Sequence, residues 1–322
     1  MEHLLPKKGS DNISKPSRLP LVSVVTPSFN ALPFLKENIE SILEQDYPSI
    51  EHIIIDGGSA DGTLEVLKRY PHLVWVSEPD RGQSHALNKG FRRARGEIIG
   101  WLNADDSYQP DAVSNAVRLL LENEDADIIY SDLQVIDEAG QSIGISKAQP
   151  FDLCSLLLIN PVKQPTVFIR RHVIEKMCGV DESLHYVMDR EFWLRAGFLF
   201  NIHYFPGKIF ANYRLCPGTK SFEQTVEFKK EWLQVLEQKF QNPNFSKIPR
   251  ATWRNAMQKT KAQYHLAKLI YSANHHDRWM MFQHLILAIT RDMSLVMNRG
   301  TWLFIYNGLF GRIIDMRRKY NI

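Results

Sequence analysis

Between residues 20 and 130 the chain alternates short runs of β-branched and aliphatic residues with stretches whose apolar side chains recur at helical spacing. The first run, Val22 to Thr26, is bounded by Pro20 on one side and by Pro27 and Asn30 on the other, as suits a buried strand that ends in a loop. Leu35, Ile39, Ile42 and Leu43 follow at i, i+4, i+7 and i+8, one face of a helix. EHIIID then predicts a strand, DGTLEVLKRY a short helix, LVWVS a strand and QSHALNKGFRRARG a helix with Leu87, Phe91 and Ala94 on one side. EIIGWL predicts another strand, and Pro110 opens a helix through Val113, Val117, Leu120 and Leu121. Such alternation predicts an α/β fold, a mainly parallel sheet flanked by helices. Ligands of these sheets bind beyond the carboxyl ends of the strands. The polar residues directly after each strand are therefore the site candidates: Pro27 to Asn30, Asp56 to Ser59, Glu78 to Arg81 and Asn103 to Asp106.

Outside that stretch the text changes. Residues 1–19 are polar and read as a flexible leader. After DIIYSD the order is less regular, with a short strand at QPTVFIRR, a helix start near His172 and a helical DREFWLRAG. From 224 onward the sequence turns helical and reads as a separate layer. Charge divides at a similar place. From Ala251 to the end there are eleven Lys and Arg against three Asp and no Glu, whereas the first 250 residues hold 28 basic against 33 acidic. No apolar run approaches the roughly 18 residues of a membrane span, and the start lacks a signal-peptide core, so a cytoplasmic location is expected. Cys154, Cys178 and Cys216 have no CxxC spacing and are expected to be reduced thiols.

The strand ends restrict what can bind. DGGSADG has Ser59 where GxGxxG needs glycine, and no GxxxxGK[ST] occurs, so phosphate must be held in another way. Asp105 and Asp106 stand side by side after EIIGWL, and like charges that close raise each other's pKa unless a cation joins them. Mg²⁺ and Mn²⁺ take oxygen ligands and are often held by one or two carboxylates plus substrate phosphates. Read without a cation, one aspartate caps the helix at Pro110 and the other is solvated. Asp56, directly after Ile53 to Ile55, can accept an N–H from a nucleobase, while Asp61 is more simply a helix cap.

VSVVTPSFN, IIIDGGSADGT, SEPDRGQSHALNKG, GEIIGWLNADD and YVMDREFWLR, in this order, resemble family 2 glycosyltransferases of the GT-A fold over about residues 20 to 220. The resemblance implies a GT-A type mixed, mainly parallel sheet with a C-terminal helical region. It also implies transfer of a sugar, with inversion, from a nucleotide-diphosphate donor to a glycan or lipid-linked hydroxyl acceptor in cell-surface polysaccharide synthesis. On this reading 20–223 is the catalytic domain, with 20–132 the nucleotide-sugar half and 133–223 the acceptor-side half, and 224–322 is a basic helical region. Pro27, Phe29 and Asn30 line the base, Asp56 bonds it, Asp105 touches the ribose, and Asp106 coordinates Mn²⁺ or Mg²⁺. Asn103 stands where relatives often have a third carboxylate. A basic residue that helps hold the donor in some relatives is matched by Arg81, with Arg214 as the alternative.

Inversion by direct displacement requires a carboxylate on the acceptor side, within about 2.6–3.2 Å of the attacking hydroxyl. VMDREFWLRAG supplies Asp189 and Glu191; by the family's motif Asp189 matches the general base, and its other reading is a helix cap. Gln164, Glu191 and Arg214 are further acceptor-side candidates, and the other reading of Gln164 is a strand-end amide that satisfies backbone groups. His275 and His276 lack a third metal-ligating partner and are read as surface residues. The stretch 301–322 mixes Trp302, Phe304, Tyr306 and Phe310 with Arg312, Arg317, Arg318 and Lys319, a composition suited to an anionic membrane surface. Packing of the aromatics on the body is the other reading, and nucleic acid is not expected as a partner because no recognition module accompanies the charge. Two other activities would use the same residue types: a glycoside hydrolase built on paired carboxylates, and a non-catalytic sugar-nucleotide or membrane-surface binding module.

Overall fold

A computed structural model describes residues 19–216, 224–274 and 278–292. The leader through residue 18, His275, His276 and the basic stretch 301–322 lie outside the described residues.

β1 (Val22–Ser28) is buried along its whole length, as expected of a run with no polar alternation. β2 (Ile50–Asp56) pairs with it in parallel on one side and β4 (Ile98–Trp101) on the other; β3 (Val74–Ser77) extends the group beyond β2. The crossovers are α1 (Leu32–Leu43), α2 (Thr63–Leu67) and α3 (Gln83–Arg93). The chain thus steps outward from β1 to β3, then returns to the far side of β1 to make β4. The carboxyl ends of β1 and β4 consequently lie side by side where the strand order turns, the usual place for a ligand crevice.

The rest of the sheet is mixed. After β5 (Ser107–Tyr108) and α4 (Ala112–Glu122) come β6 (Ile128–Ile136) and β7 (Ser142–Ser146), an antiparallel pair. α5 (Leu153–Leu156) precedes β8 (Phe168–Arg170), which lies antiparallel between β4 and β6. α6 (Arg171–Met177) and α7 (Met188–Ala196) lead to β9 (Ile202–Arg214), parallel to β6 and antiparallel to β5. Among the described residues, nine strands form one continuous sheet. The mixed sheet with flanking helices is the expected class. QPTVFIRR is strand only at Phe168–Arg170, because Gln164–Thr166 close a 3₁₀ turn.

The C-terminal helices are α8 (Thr225–Gln241), α9 (Arg250–Asn274) and α10 (Arg278–Arg291). α8 is not the separate layer expected. Its Trp232, Val235 and Leu236 recur on one helical face and enter the core that also holds Val25, Trp101, Phe192 and Trp193. Burying such side chains contributes about 1.5–3 kcal/mol each. Two smaller departures have simple causes. α4 buries Val113, Ala116, Val117 and Leu120, so Leu121, one step round the helix, faces out, and Leu43 does so at the end of α1. No helix among the described residues is long and apolar enough to cross a membrane.

Candidate active site

A cleft of about 1320 Å³ opens beyond the carboxyl ends of β1 and β4. One wall is made by strand-end loops. Pro27, Phe29 and Asn30 line it, and the Phe29 ring is 66 % exposed, an apolar face open to the cleft. Asn30 has φ +49°, a left-handed conformation that asparagine tolerates. Its N–H donates to Ser59 Oγ (2.7 Å) and its Oδ1 accepts from Ala60 N–H (3.1 Å), tying this loop to the one after β2. Gly57 lines the cleft in close contact with Asp80: a Cβ there would stand 2.7 Å from Asp80 Oδ2, so the Asp80 side chain would have to shift.

Asp56 does not line the cleft. It is fully buried, with Oδ2 accepting from Gly58 N–H (3.0 Å), Ser59 N–H (3.0 Å) and Ser77 hydroxyl (2.6 Å), and Oδ1 from Ser59 hydroxyl (2.5 Å). It shapes the Gly57–Gly58 turn, and the carboxylate that reaches the cleft from this side is Asp80. Asp80 belongs to the SEPDRG strand end, where Arg81 was the expected donor contact. Arg81 is instead largely exposed, off the cleft, and ion-paired with Glu182.

The two adjacent aspartates differ sharply. Asp105 lines the cleft; Asp106 is buried behind it. Asp106 Oδ1 accepts the N–H of Arg214 (3.1 Å), while Oδ2 is buried with no hydrogen-bond partner. Burial, then the neighbouring Asp105 charge, pushes the Asp106 carboxyl well above the usual range. Arg214 is buried too, donating from Nε to Asp105 O (3.1 Å) and from its NH2 nitrogen to Glu37 Oε2 (2.5 Å). It braces the loop from behind, so neither the donor nor the acceptor role expected of it fits its placement. Asn38 of α1 completes the support, donating to the carbonyls of Asn103 and Asp106 (both 2.9 Å).

Asn103 is the centre of an amide network. Its Oδ1 accepts from Gln83 Nε2 (2.9 Å) and from Trp101 Nε1 (3.3 Å), and its Nδ2 donates to Gln164 Oε1 (3.0 Å). Gln164 Nε2 in turn donates to Trp101 O (2.7 Å). An amide is needed at 103 because the side chain must donate as well as accept. Gln164 lines the cleft with its amide nitrogen committed to the Trp101 carbonyl.

A second part of the lining carries Asp189 in the first turn of α7. It is not the helix cap: that position is Val187, which makes no side-chain cap. Asp189 Oδ2 accepts from Asn160 Nδ2 (3.0 Å), and burial raises the carboxyl above its ordinary value, Arg190 partly opposing. Glu191, two residues on, points inward. It is 1 % exposed and paired with Arg195 (2.8 Å) and Lys239 (2.7 Å), so its expected place on the acceptor side gives way to a structural one. Lys163, His185 and Tyr186 also line the cleft, and sequence reasoning had not singled them out. No group of three or more His, Cys, Asp or Glu that could hold a metal by themselves occurs among the described residues. A cation here would need ligands from a substrate as well.

The sequence model described as Glycosyl transferase family 2 matches residues 23–172. An uncharacterised glycosyltransferase of Mycobacterium tuberculosis is 32 % identical over 185 residues, covering 55 % of this chain and 69 % of the relative. The chain belongs to glycosyltransferase family 2. An uncharacterised glycosyltransferase of Rickettsia typhi is 29 % identical over 186 residues, covering 55 % of this chain and 58 % of its own. The putative teichuronic acid biosynthesis glycosyltransferase TuaG of Bacillus subtilis is 36 % identical over 109 residues, covering 32 % and 43 %. The chain thus spans about half the length of these last two. Among solved structures, S. aureus TarS in complex with UDP-GlcNAc superposes with TM-score 0.61 at 14 % identity, covering 86 % of this chain and 92 % of that one. The mannosyltransferase PcManGT of Pyrobaculum calidifontis, in complex with GDP-Man and Mn²⁺, gives 0.59 at 20 % identity, covering 94 % and 88 %. At these identities the likeness establishes the GT-A type fold, and function has to be argued from the site.

Proposed function

We propose that this family 2 chain transfers a sugar, with inversion, from a nucleoside-diphosphate sugar to a hydroxyl of a glycan or lipid-linked acceptor. The observation that carries the reading is the pair of carboxylates lining one cleft from different walls: Asp105 beside the strand-end loops, and Asp189 on α7. Phe29, Gly57 and Asp80 form the part of the cleft suited to a nucleobase, with a ring face and a carboxylate acceptor. Asp189 takes the proton of the acceptor hydroxyl as its oxygen attacks the anomeric carbon and the bond to the diphosphate breaks. A carboxylate whose pKa burial has raised is a stronger base for that transfer than an exposed one.

The aspartate pair fits a divalent cation because Asp106 Oδ2 is buried without a partner and the two charges destabilise each other. Mn²⁺ or Mg²⁺ would be held by Asp105, which reaches the cleft, with Asp106 behind it, and when bound supplies neutralisation of the charge growing on the leaving diphosphate. This exchanges the places expected of the two residues: Asp105 becomes the direct ligand.

TuaG's name supports a role in cell-surface polysaccharide synthesis, and the ligands named with TarS and PcManGT support the donor class. Exposed Trp279, Phe282 and Ile286 on α10 favour contact of the basic C-terminal region with the cytoplasmic face of a membrane. A hydrolase working with Asp189 and Glu191 is disfavoured by the inward pairing of Glu191.

The test is a thermal-shift screen of nucleotide sugars with and without Mn²⁺, followed by nucleotide release with candidate acceptors. Stabilisation by one donor only when the cation is present, and release that grows with acceptor, are the expected results. Binding without release across a broad acceptor panel would favour a non-catalytic module.

A further inference from the structure

Glu231 lies on α8, beyond the stretch matched by the family model, yet its carboxylate is 8 % exposed and aimed at the acceptor wall. Its Oε1 accepts the N–H of His185 (2.8 Å); its Oε2 accepts those of Tyr186 (2.7 Å) and Val187 (2.8 Å). These are main-chain donors immediately ahead of α7, a helix whose own cap residue, Val187, offers no side-chain acceptor. A carboxylate accepting several such N–H groups makes charge-assisted bonds and meets the positive end of the helix.

α8 holds Glu231 firmly in place. Trp232 Nε1 donates to Leu157 O (3.2 Å), and the Arg190 guanidinium stacks 4.0 Å over the Trp232 ring while its Nε donates to Leu156 O (2.9 Å). Two helical turns further on, Lys239 reaches Glu191 of α7 (2.7 Å). Of the residues Glu231 clamps, His185 and Tyr186 line the cleft themselves, and Asp189 follows two residues after Val187. A carboxylate serving only to attach α8 would have no need of main-chain partners in the turn that aims the reacting side chain.

We infer that Glu231 is a positioning residue: by gathering the His185–Val187 amides it sets the orientation of the Asp189 carboxylate and the shape of the acceptor wall. The inference rests on the reading of Asp189 as the base. It makes the C-terminal helical region part of the working site. Misplacing a reacting group by about 1 Å can reduce turnover by about 100-fold, the scale on which such a clamp matters.

The experiment compares Glu231→Gln, Glu231→Asp, Asp189→Asn and the double variant Asp189→Asn/Glu231→Gln on the full chain. Amide hydrogen exchange needs no substrate. The expected result for Glu231→Gln is about tenfold or faster exchange at His185, Tyr186 and Val187, with β1 and β4 unchanged; unaltered exchange at the three amides would overturn the clamp. Nucleotide release is then read with UDP-GlcNAc and GDP-mannose in Mn²⁺. Glu231→Gln is expected to lower kcat about 10- to 100-fold with donor KM within about twofold, Glu231→Asp to recover part of the loss, and the double variant to match Asp189→Asn. Should Glu231→Gln fail to fold, Glu231→Asp carries both comparisons. A further loss in the double variant equal to that in the single one would overturn action through Asp189. Wild-type turnover in Asp189→Asn would instead overturn the base assignment while leaving the exchange result to judge the clamp.

Discussion

The two walls of the cleft are built differently. The donor wall is the direct product of the sheet: β1, β2 and β4 end side by side, Asn30, Asp56 and Ser59 stitch together the loops after β1 and β2, and Asn38 holds the loop after β4, all within the first half of the chain. The acceptor wall is assembled by helix packing. Asp189 is held by Asn160, its turn by Glu231 and its helix by Trp232 and Lys239. The contrast implies a division of labour. Changes to the first wall should alter donor binding, and changes to the second should alter turnover.

The largest expected effect tests the second wall. Asp189→Asn keeps the size and the bond from Asn160 within reach of a rotated amide but removes the proton acceptor. A fall in kcat of about 10²- to 10⁴-fold with donor affinity preserved is expected from steady-state kinetics and calorimetry. The same carboxyl sets the acid limb of the wild-type pH profile. Because its pKa is raised by burial above the ordinary 3.8, the ionised base disappears as pH falls through that raised value, and kcat should fall with it. An acid limb at or below 3.8 would argue that another group takes the proton.

Next in size comes the first wall. Asp105→Ala should reduce Mn²⁺-dependent donor affinity by roughly 10- to 100-fold, the scale seen when a metal's immediate surroundings are damaged, and leave cation-free binding of the nucleoside little changed. Calorimetry with and without Mn²⁺ reads both. Equal loss in the two conditions would mean that Asp105 acts on the sugar or ribose directly. Asn103→Asp should cost about 1–3 kcal/mol of stability, read as a lowered denaturation midpoint. The new oxygen would face Gln164 Oε1, while the Gln164 amide is committed to Trp101 O.

The same contrast explains what could be read from the sequence. The helical and strand periods between 20 and 130 marked β1 to β4 and the loops after them, because parallel strands buried on both faces leave a strong local pattern. Within those loops the choice between neighbours was less legible. Asp80 rather than Arg81, and Asp105 rather than Asp106, reach the cleft, and that depends on where Glu182 and Arg214 stand across the fold. The acceptor wall left still less trace. Asp189 was identifiable from its motif, but Glu231 lies in an ordinary amphipathic helix, and nothing local distinguishes a glutamate that faces solvent from one that gathers three amides. The Glu227 and Glu231 spacing alone would suit a solvated face.

The smallest effect separates Asp106 from its neighbour. Its folded pKa is raised, first by burial and then by Asp105, so the native state holds this proton more tightly than the unfolded chain does. The contribution is fully present below the unfolded value of about 3.8 and is lost as pH rises through the raised folded value, above which the carboxyl is a buried, partly unpaired charge. Asp106→Asn removes that charge while its Oδ1 can still accept from Arg214 N–H. Without added cation the variant should therefore melt a few degrees higher than wild type at a pH above that raised value, a gain of about 1 kcal/mol, and the gap should close as pH is lowered through it. Adding Mn²⁺ together with a nucleotide-sugar donor should reverse the order, because the cation, held by substrate phosphate as well, would stabilise only the chain that retains both carboxylates. If wild type and variant respond equally to Mn²⁺ with donor, Asp106 has no part in the cation site, and the first wall works through Asp105 alone.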